Sequence, residues 1–350
     1  MVEIVGAVHV HSTCSDGTRT VDELVAVAAQ VGLQYIVIND HMTLEGRKCL
    51  GTRGFPEVTA LVGYEHNDHT NRNHYLVLGS QRVYSELQSA CEYVGALRKD
   101  GGVGFIAHPC EKRHSFSSLP PYPWTDWEVC GFDGIEIWNQ MSDWAEHLKP
   151  VLGLLRIVHP RRLLAGPPPE ALARWDQLNT QRFVSALGGV DAHSHRIHVG
   201  PLSLEVFPAK VEFKGVRTHL YVPPDYTSRG YEQACVAIIS SLRDGHGFIS
   251  NLRWGDARGS LFMYEAPNGA LCGCGVPPCV VEPGGVLRVT LPEKGEIRLL
   301  RNGCPVMRVF AGSNDFAITN PGAYRLEVRR KNRPWIFTNP FPIGEYPFQT

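Results

Sequence analysis

From residue 4 to about residue 250, short apolar β-branched runs alternate with stretches of helical period, and this alternation restricts the fold more than any other feature of the chain. Ile4–Val10 predicts a strand. Thr20-Val21-Asp22-Glu23 is a capping box, and Leu24, Val27, Ala28 and Val31 follow at helical spacing, with Gly32 suited to the stop. Tyr35–Ile38, Leu61–Tyr64 and Tyr75–Leu78 predict strands, Ser85–Asp100 a helix, and Val103–Ala107, Gly134–Trp138 and Ser185–Val190 three more strands. Strand, helix and strand return over Thr218–Val222, Tyr231–Arg243 and Phe248–Ser250. Such alternation predicts an α/β fold on a parallel sheet, open or closed into a barrel. Unbroken runs such as Tyr35-Ile36-Val37-Ile38 fit strands buried on both faces.

After about residue 255 the helical period is lost. Leu261–Tyr264, Val286–Leu291, Ile297–Arg301, Val306–Phe310 and Ala323–Val328 are strand-like and separated by Gly, Pro and Asn, which predicts a β-sandwich. The expected organisation is a barrel over 1–254 and a β-sandwich domain over 255–350. Two long connections, 111–132 with Pro120, Pro121 and Pro123 and 160–170 with four prolines, are of the length used by lids, binding loops and plain surface insertions alike.

Lys and Arg total 34 against 35 for Asp and Glu, a net charge of −1, so long nucleic acid has no electrostatic reason to bind. No apolar run approaches the roughly 18 residues that span a bilayer; Val151–Val158 comes nearest and Arg156 breaks it. The Met1-Val2-Glu3-Ile4 start lacks the basic region of a signal peptide. The expectation is a cytoplasmic protein without a membrane partner, whose ten cysteines stay reduced. Cys272, Cys274 and Cys279, with Cys304 further on, depart from the paired spacing of structural zinc sites, so a Gly/Cys/Pro-rich loop is expected there.

The fifteen histidines are informative through their positions. His9 and His11 close the first predicted strand, on one side of it by period 2, and Asp16 follows. His41 follows the second strand and Glu65 the third, His74 opens the fourth, His108 ends the next, and Asp191 and His193 end the strand from Ser185. The carboxyl ends of parallel strands converge on one face, where active sites form. One histidine there is ordinarily a hydrogen-bonded structural residue, but nine donors at successive strand ends are not nine accidents. Imidazole and carboxylate without thiolate suit Zn²⁺, Mn²⁺ or Fe²⁺. Nine donors exceed one ion's coordination shell and imply two or three divalent metals. Two metals sharing a hydroxide form a hydrolase design.

His9-x-His11, Ser15-Asp16-Gly17, Asp40-His41, Glu65, His74, His108-Pro109 and Asp191-x-His193 resemble the motif series of the PHP (polymerase and histidinol phosphatase) superfamily. The resemblance implies a distorted (β/α)7 TIM-like barrel with two or three metals. Pro334-Trp335-Ile336 and Thr338-Asn339-Pro340 resemble the CehA/McbA-like branch, in which a β-rich region follows the barrel and which includes carbaryl-type hydrolases. Carried over by residue, His9, His11, Glu65 and Asp191 would hold one metal. Glu65 would bridge to a second, completed by His74 and His108, and Asp16, His41 and His193 would hold a third. The polar insertion 66–73 leaves His66 or His69 as substitutes for His74, and Glu136 is a further candidate to face the site, partner a cation or fill the barrel mouth.

The function expected is a metal-dependent phosphoesterase in which a metal-bridging hydroxide attacks a small phosphate ester. Asp191 or His195 are candidates to protonate the leaving oxygen, and Arg113 and Arg196 to fork onto the phosphate. The alternative is a carbamate or carboxylic ester hydrolase with the same metals, its apolar pocket lined by Phe116, Trp124 and Trp127. An alternative of another class is a non-catalytic metal-binding interaction module. The sequence leaves the oligomeric state open.

Overall fold

The computed structural model describes residues 1–50, 55–113, 120–147, 160–194, 196–199, 202–205, 207–277 and 280–348. The chain begins β1 (Val2–Val10), α1 (Val21–Gln30), β2 (Tyr35–Ile38), α2 (Gly46–Leu50), β3 (Thr59–Val62), β4 (Tyr64–His66), β5 (Tyr75–Leu78) and α3 (Ala90–Lys99). It continues β6 (Val103–Ile106), β7 (Gly134–Asn139), α4 (Gln140–His147), α5 (Pro169–Gln181) and β8 (Ser185–Ala192). The capping box expected at α1 is present: Thr20 Oγ1 accepts from the Glu23 N–H at 3.3 Å and Glu23 accepts from the Thr20 N–H at 2.9 Å. The helix expected from Ser85 starts at Ala90 instead, because Ser89 is its N-cap, with Glu92 accepting from the Ser89 N–H at 2.8 Å.

β1 pairs parallel with β2 and with β8, β2 with β3, β6 with β7, and β7 with β8. β3 runs through Gly63 into β4, and β5 pairs antiparallel with β4 and β6, so the pairings close on themselves. The sheet is therefore mixed, where the sequence pattern led to a parallel one. Residues 67–74 join β4 to β5, and that segment is shorter than the dozen or so residues of a parallel crossover, so the chain has to reverse.

After β9 (Arg196–Val199), β10 (Leu202–Glu205) and α6 (Ala209–Glu212), β11 (Val216–Val222) pairs antiparallel with the first half of β1. α7 (Tyr231–Arg243) leads to β12 (Gly247–Asn251), which pairs with β11. The remaining strands are β13 (Leu261–Glu265), β14 (Leu271–Cys272), β15 (Gly285–Arg301), β16 (Cys304–Ile318), β17 (Gly322–Arg330), β18 (Arg333–Thr338) and β19 (Phe341–Ile343). Val286–Leu291 and Ile297–Arg301, expected as two strands, are halves of β15, whose register against β16 shifts between Thr290 and Gly295. β18 pairs antiparallel with β12, so strands on either side of the expected division at residue 254 share one sheet. Phe248 of β12 is likewise buried in one core with Phe262, Leu287, Ile297, Leu326 and Trp335.

The tail motifs are structural ties. The side chain of Asn339 accepts from the Ala186 N–H at 2.7 Å and donates to the carbonyls of Ala186 and Gly247 at 3.1 and 3.2 Å. Trp335 is buried and its Nε1 donates to the Gly255 carbonyl at 2.9 Å. Cys274 is also buried, its thiol directed at the Gly247 carbonyl, while Cys279 lies outside the described residues. No helix among the described residues is long and apolar enough to cross a membrane.

Candidate metal centre

The ends of β1 and β8 are clamped together, with the His11 N–H donating to the Ala192 carbonyl at 2.9 Å and the Thr18 N–H to the His193 carbonyl at 3.0 Å. His9, His108 and Asp191 adopt φ of +64°, +27° and +51°. Non-glycine residues seldom enter this region, and such backbone concentrates where surrounding structure enforces a functional arrangement. These three turns aim side chains from β1, β8 and the end of β6 into one volume.

All nine candidate donors meet there. Oε2 of Glu65 lies 3.1 Å from His9 Nε2, 3.4 Å from His11 Nε2 and 3.3 Å from His41 Nδ1. Its Oε1 lies 2.7 Å from His74 Nδ1 and 2.9 Å from His108 Nε2. Oδ1 of Asp191 is 3.4 Å from His9 Nε2 and 3.2 Å from His11 Nε2. Asp16 faces His193 Nε2 at 3.3 Å, His11 Nδ1 at 3.6 Å and His41 Nε2 at 3.8 Å. The donors fall into overlapping groups: His9, His11 and Asp191; His9, Glu65 and His108; His41, Glu65 and His74; and His11, Asp16, His41 and His193. His74 is the histidine brought to Glu65 after the insertion. His66 is buried on the other side of the strand, its ring 4.1 Å from that of Tyr93, and His69 is exposed.

These donors fit a metal. His11 is buried, and its ring nitrogens face the oxygens of Asp191, Glu65 and Asp16 at 3.2, 3.4 and 3.6 Å without hydrogen-bond geometry, while His108 Nδ1 has no hydrogen-bond partner among the described residues. Unpaired buried nitrogens are costly in a folded chain. Many of the contacts are long for hydrogen bonds, but they approach the roughly 3.4 Å between two ligands on one tetrahedral zinc-like ion.

The electrostatics are those of a carboxylate-rich pocket that draws positive charge. Burial opposes charge on His9, yet Asp191, Glu65 and Glu136 outweigh it and hold its pKa well above the usual imidazole value. Against the same burial, Asp191 and Glu65 raise His11 to about 9, and Glu65 raises His108 to about 9. Burial lowers His41 to about 4. Glu65 and Asp191 remain well below the usual carboxylate range, because the surrounding imidazoles overcome the cost of burial. Buried carboxylates held ionised need compensating cationic charge, which protonated imidazoles supply here and which a bound ion would supply in their place, since a ligating imidazole is neutral.

Behind these donors stands a set of groups that fix them. Glu136 Oε1 accepts from His9 Nδ1 at 2.9 Å, and its Oε2 accepts from the His108 N–H at 2.7 Å and from Asn139 Nδ2 at 3.0 Å. Asn139 also donates to Asp191 Oδ2 at 3.2 Å. Gly189 makes room, since a Cβ there would lie 1.7 Å from Glu136 Oε1. Asp40 accepts from the Ser12 N–H and hydroxyl, both at 2.7 Å, and from the Ser15 hydroxyl at 2.6 Å, anchoring the loop that carries Asp16. Asp40 and Asn139 were not predicted as site residues, although each sits at a strand end, the same signal that marked the donors.

Of the other predicted residues, Arg113 forks onto Glu111, with Nε at 2.7 Å and Nη2 at 2.6 Å, and lies over the Tyr122 ring. Tyr122 in turn stacks on His74, 5.2 Å between centroids. His195, Phe116 and the side chain of Arg196 lie outside the described residues. Trp124 is buried against Tyr75, and Trp127 packs beneath Arg174, so the 111–132 connection uses both tryptophans for packing and brings Tyr122 to the candidate donor His74.

No protein-family model and no curated protein matches the sequence. Among solved structures, the chain is similar to a two-domain protein containing a predicted PHP-like metal-dependent phosphoesterase from Bacteroides vulgatus, at 14% identity over 97% of this chain and 95% of that one, with a TM-score of 0.46. A candidate metal-dependent phosphoesterase from Bifidobacterium adolescentis matches at 18% identity over 54% of this chain and 87% of that one, with a TM-score of 0.35. An amidohydrolase from Chromobacterium violaceum, solved with bound sulfate and no metal, matches at 14% identity over 56% and 92%, with a TM-score of 0.35. None of the three is described as a member of the CehA/McbA-like branch.

Proposed function

We propose that this chain is a metal-dependent hydrolase acting on a small phosphate ester. The observation that carries the reading is Glu65, a buried carboxylate whose two oxygens face different sets of imidazoles, as a bridging ligand requires. His9, His11, Glu65 and Asp191 would hold one divalent ion, Glu65, His74 and His108 a second, and Asp16, His41 and His193 a third. Bound ions of this class supply Lewis acidity and lower the pKa of water towards neutrality.

The chain's own residues divide the remaining work. Glu136 keeps the proton of His9 on Nδ1 and so turns Nε2 towards Glu65 and Asp191. Asp191 has one oxygen among imidazoles and the other on Asn139, which suits a ligand better than an acid. Asp16 and His41 are the donors with the most exposed side chains, at 52% and 30%, so substrate enters from their side. His195, two residues beyond His193, is the sequence's candidate to protonate the leaving oxygen. Phosphate is favoured over a carbamate or carboxylic ester because the two described tryptophans of the 111–132 connection are engaged in packing, which leaves the apolar pocket without them.

Protein purified without chelator and assayed beside metal analysis tests the reading. Hydrolysis of p-nitrophenyl phosphate that disappears with chelator and returns with Mn²⁺ or Zn²⁺ is expected. Cleavage of 1-naphthyl acetate or a naphthyl carbamate with the phosphate ester untouched would transfer the assignment to the ester reading. Metal binding without any hydrolysis would favour an interaction module.

A further inference from the structure

The longest free edge in the described structure belongs to β16. Its fifteen residues, Cys304–Ile318, pair with β15 and with no other strand among the described residues. Val306, Met307 and Phe310 stand on it 48%, 52% and 71% exposed. A long apolar edge with unpaired backbone groups is a template for another strand, and proteins that stay monomeric blunt such edges.

The residues also select which strand. Opposite the first half of β15, Leu287 meets Phe316 and Val289 meets Asn314, so the even residues 314, 316 and 318 face inward. Opposite the second half, Gly295 meets Ala311 and Ile297 meets Val309, so odd residues face the core. The switch falls at Gly312, which has no partner on β15 and stands next to the midpoint of β16. In an antiparallel pair, residues opposite each other share a face. A second copy of β16 therefore matches inward with inward over Met307–Phe316, up to the second register shift at Val306, when the two-fold axis passes between Ala311 and Gly312, which also superimposes the two bends.

We propose that two copies of this chain associate edge to edge through β16 in that register. The charges complement one another there: Arg308 faces Asp315 of the partner subunit, and symmetry repeats the pair. Phe310 faces Ser313 of the partner subunit. Within one chain Arg308 pairs with Glu296 and Asp315 with Arg288, so the joined edges carry an alternating row of charges across four strands.

Sedimentation of the full chain at micromolar concentration tests this. The wild type is expected to be a dimer. Arg308→Glu sets a carboxylate opposite Asp315 twice and is expected to weaken the dimer roughly tenfold or more. Arg308→Glu/Asp315→Arg restores complementarity and is expected to recover most of that loss. Phe310→Asp alters a side chain too exposed to matter for folding and is expected to weaken association. Circular dichroism and bound metal content should be those of the wild type throughout. A monomeric wild type, a dimer equally strong in every variant, or a charge-swapped chain as weak as the single variant would each overturn the proposal.

Discussion

Glu136 accepts a hydrogen bond from Nδ1 of His9 at 2.9 Å across 127 residues of sequence, and with its other oxygen accepts from the backbone N–H of His108 at 2.7 Å. One carboxylate that holds no position among the donors thus fixes a ring on β1 and a turn after β6.

Glu136→Ala is accordingly expected to lower metal affinity about 10- to 100-fold, the usual cost of losing a group that orients a ligand. Glu136→Gln retains an acceptor for His9 and should lose less. Competition with a chromophoric chelator measures both, and unchanged affinity in the alanine variant would assign Glu136 to packing alone.

Glu65→Gln removes the charge shared by two of the candidate sites. Bound metal is expected to fall to at most one equivalent per chain in elemental analysis, with hydrolysis lost. Retention of the wild-type equivalents would refute the bridging role. Chelator applied to the wild type should lower its melting temperature, because ions that bind only the folded chain stabilise it by mass action.

Asn339→Ala leaves the Ala186 N–H and the Ala186 and Gly247 carbonyls without this side chain's hydrogen bonds. Buried groups left unpaired cost about 1–3 kcal/mol, so the urea midpoint should fall while metal affinity stays within a factor of two or so.

His147 is raised to about 9 by its hydrogen bond to Asp143, against partial burial. A folded-state value above the unfolded one stabilises fully below the unfolded pKa near 6.5 and is lost as pH rises through about 9. The melting temperature of His147→Gln should therefore lie below that of the wild type at pH 6 and converge with it by pH 10. The gap should be small, since His147 is 44% exposed and solvent screens the pair.

The polar insertion 66–73 shows where reading by sequence alone stops. His66, His69 and His74 were equal in residue type, and the choice among them fell to the β4–β5 hairpin, whose register sets Glu65 opposite Leu76 and leaves His74 just before β5. The same hairpin makes β5 antiparallel in a sheet otherwise patterned for parallel strands. Glu136 was visible as one more carboxylate on a strand, with nothing local to separate a group that orients a ligand from a ligand.

What the sequence determined was the order of strands and the placing of donors at their ends. Those are local properties, set by apolar runs, the two-residue period of a strand and turn-forming residues. The tertiary structure decided which oxygen meets which imidazole, that Asp40, Glu136 and Asn139 stand behind the donors, and that the C-terminal strands continue the same sheet. Each of these is a contact within a few ångströms between residues far apart in the chain, and pairing and packing create it only when the whole sheet is assembled.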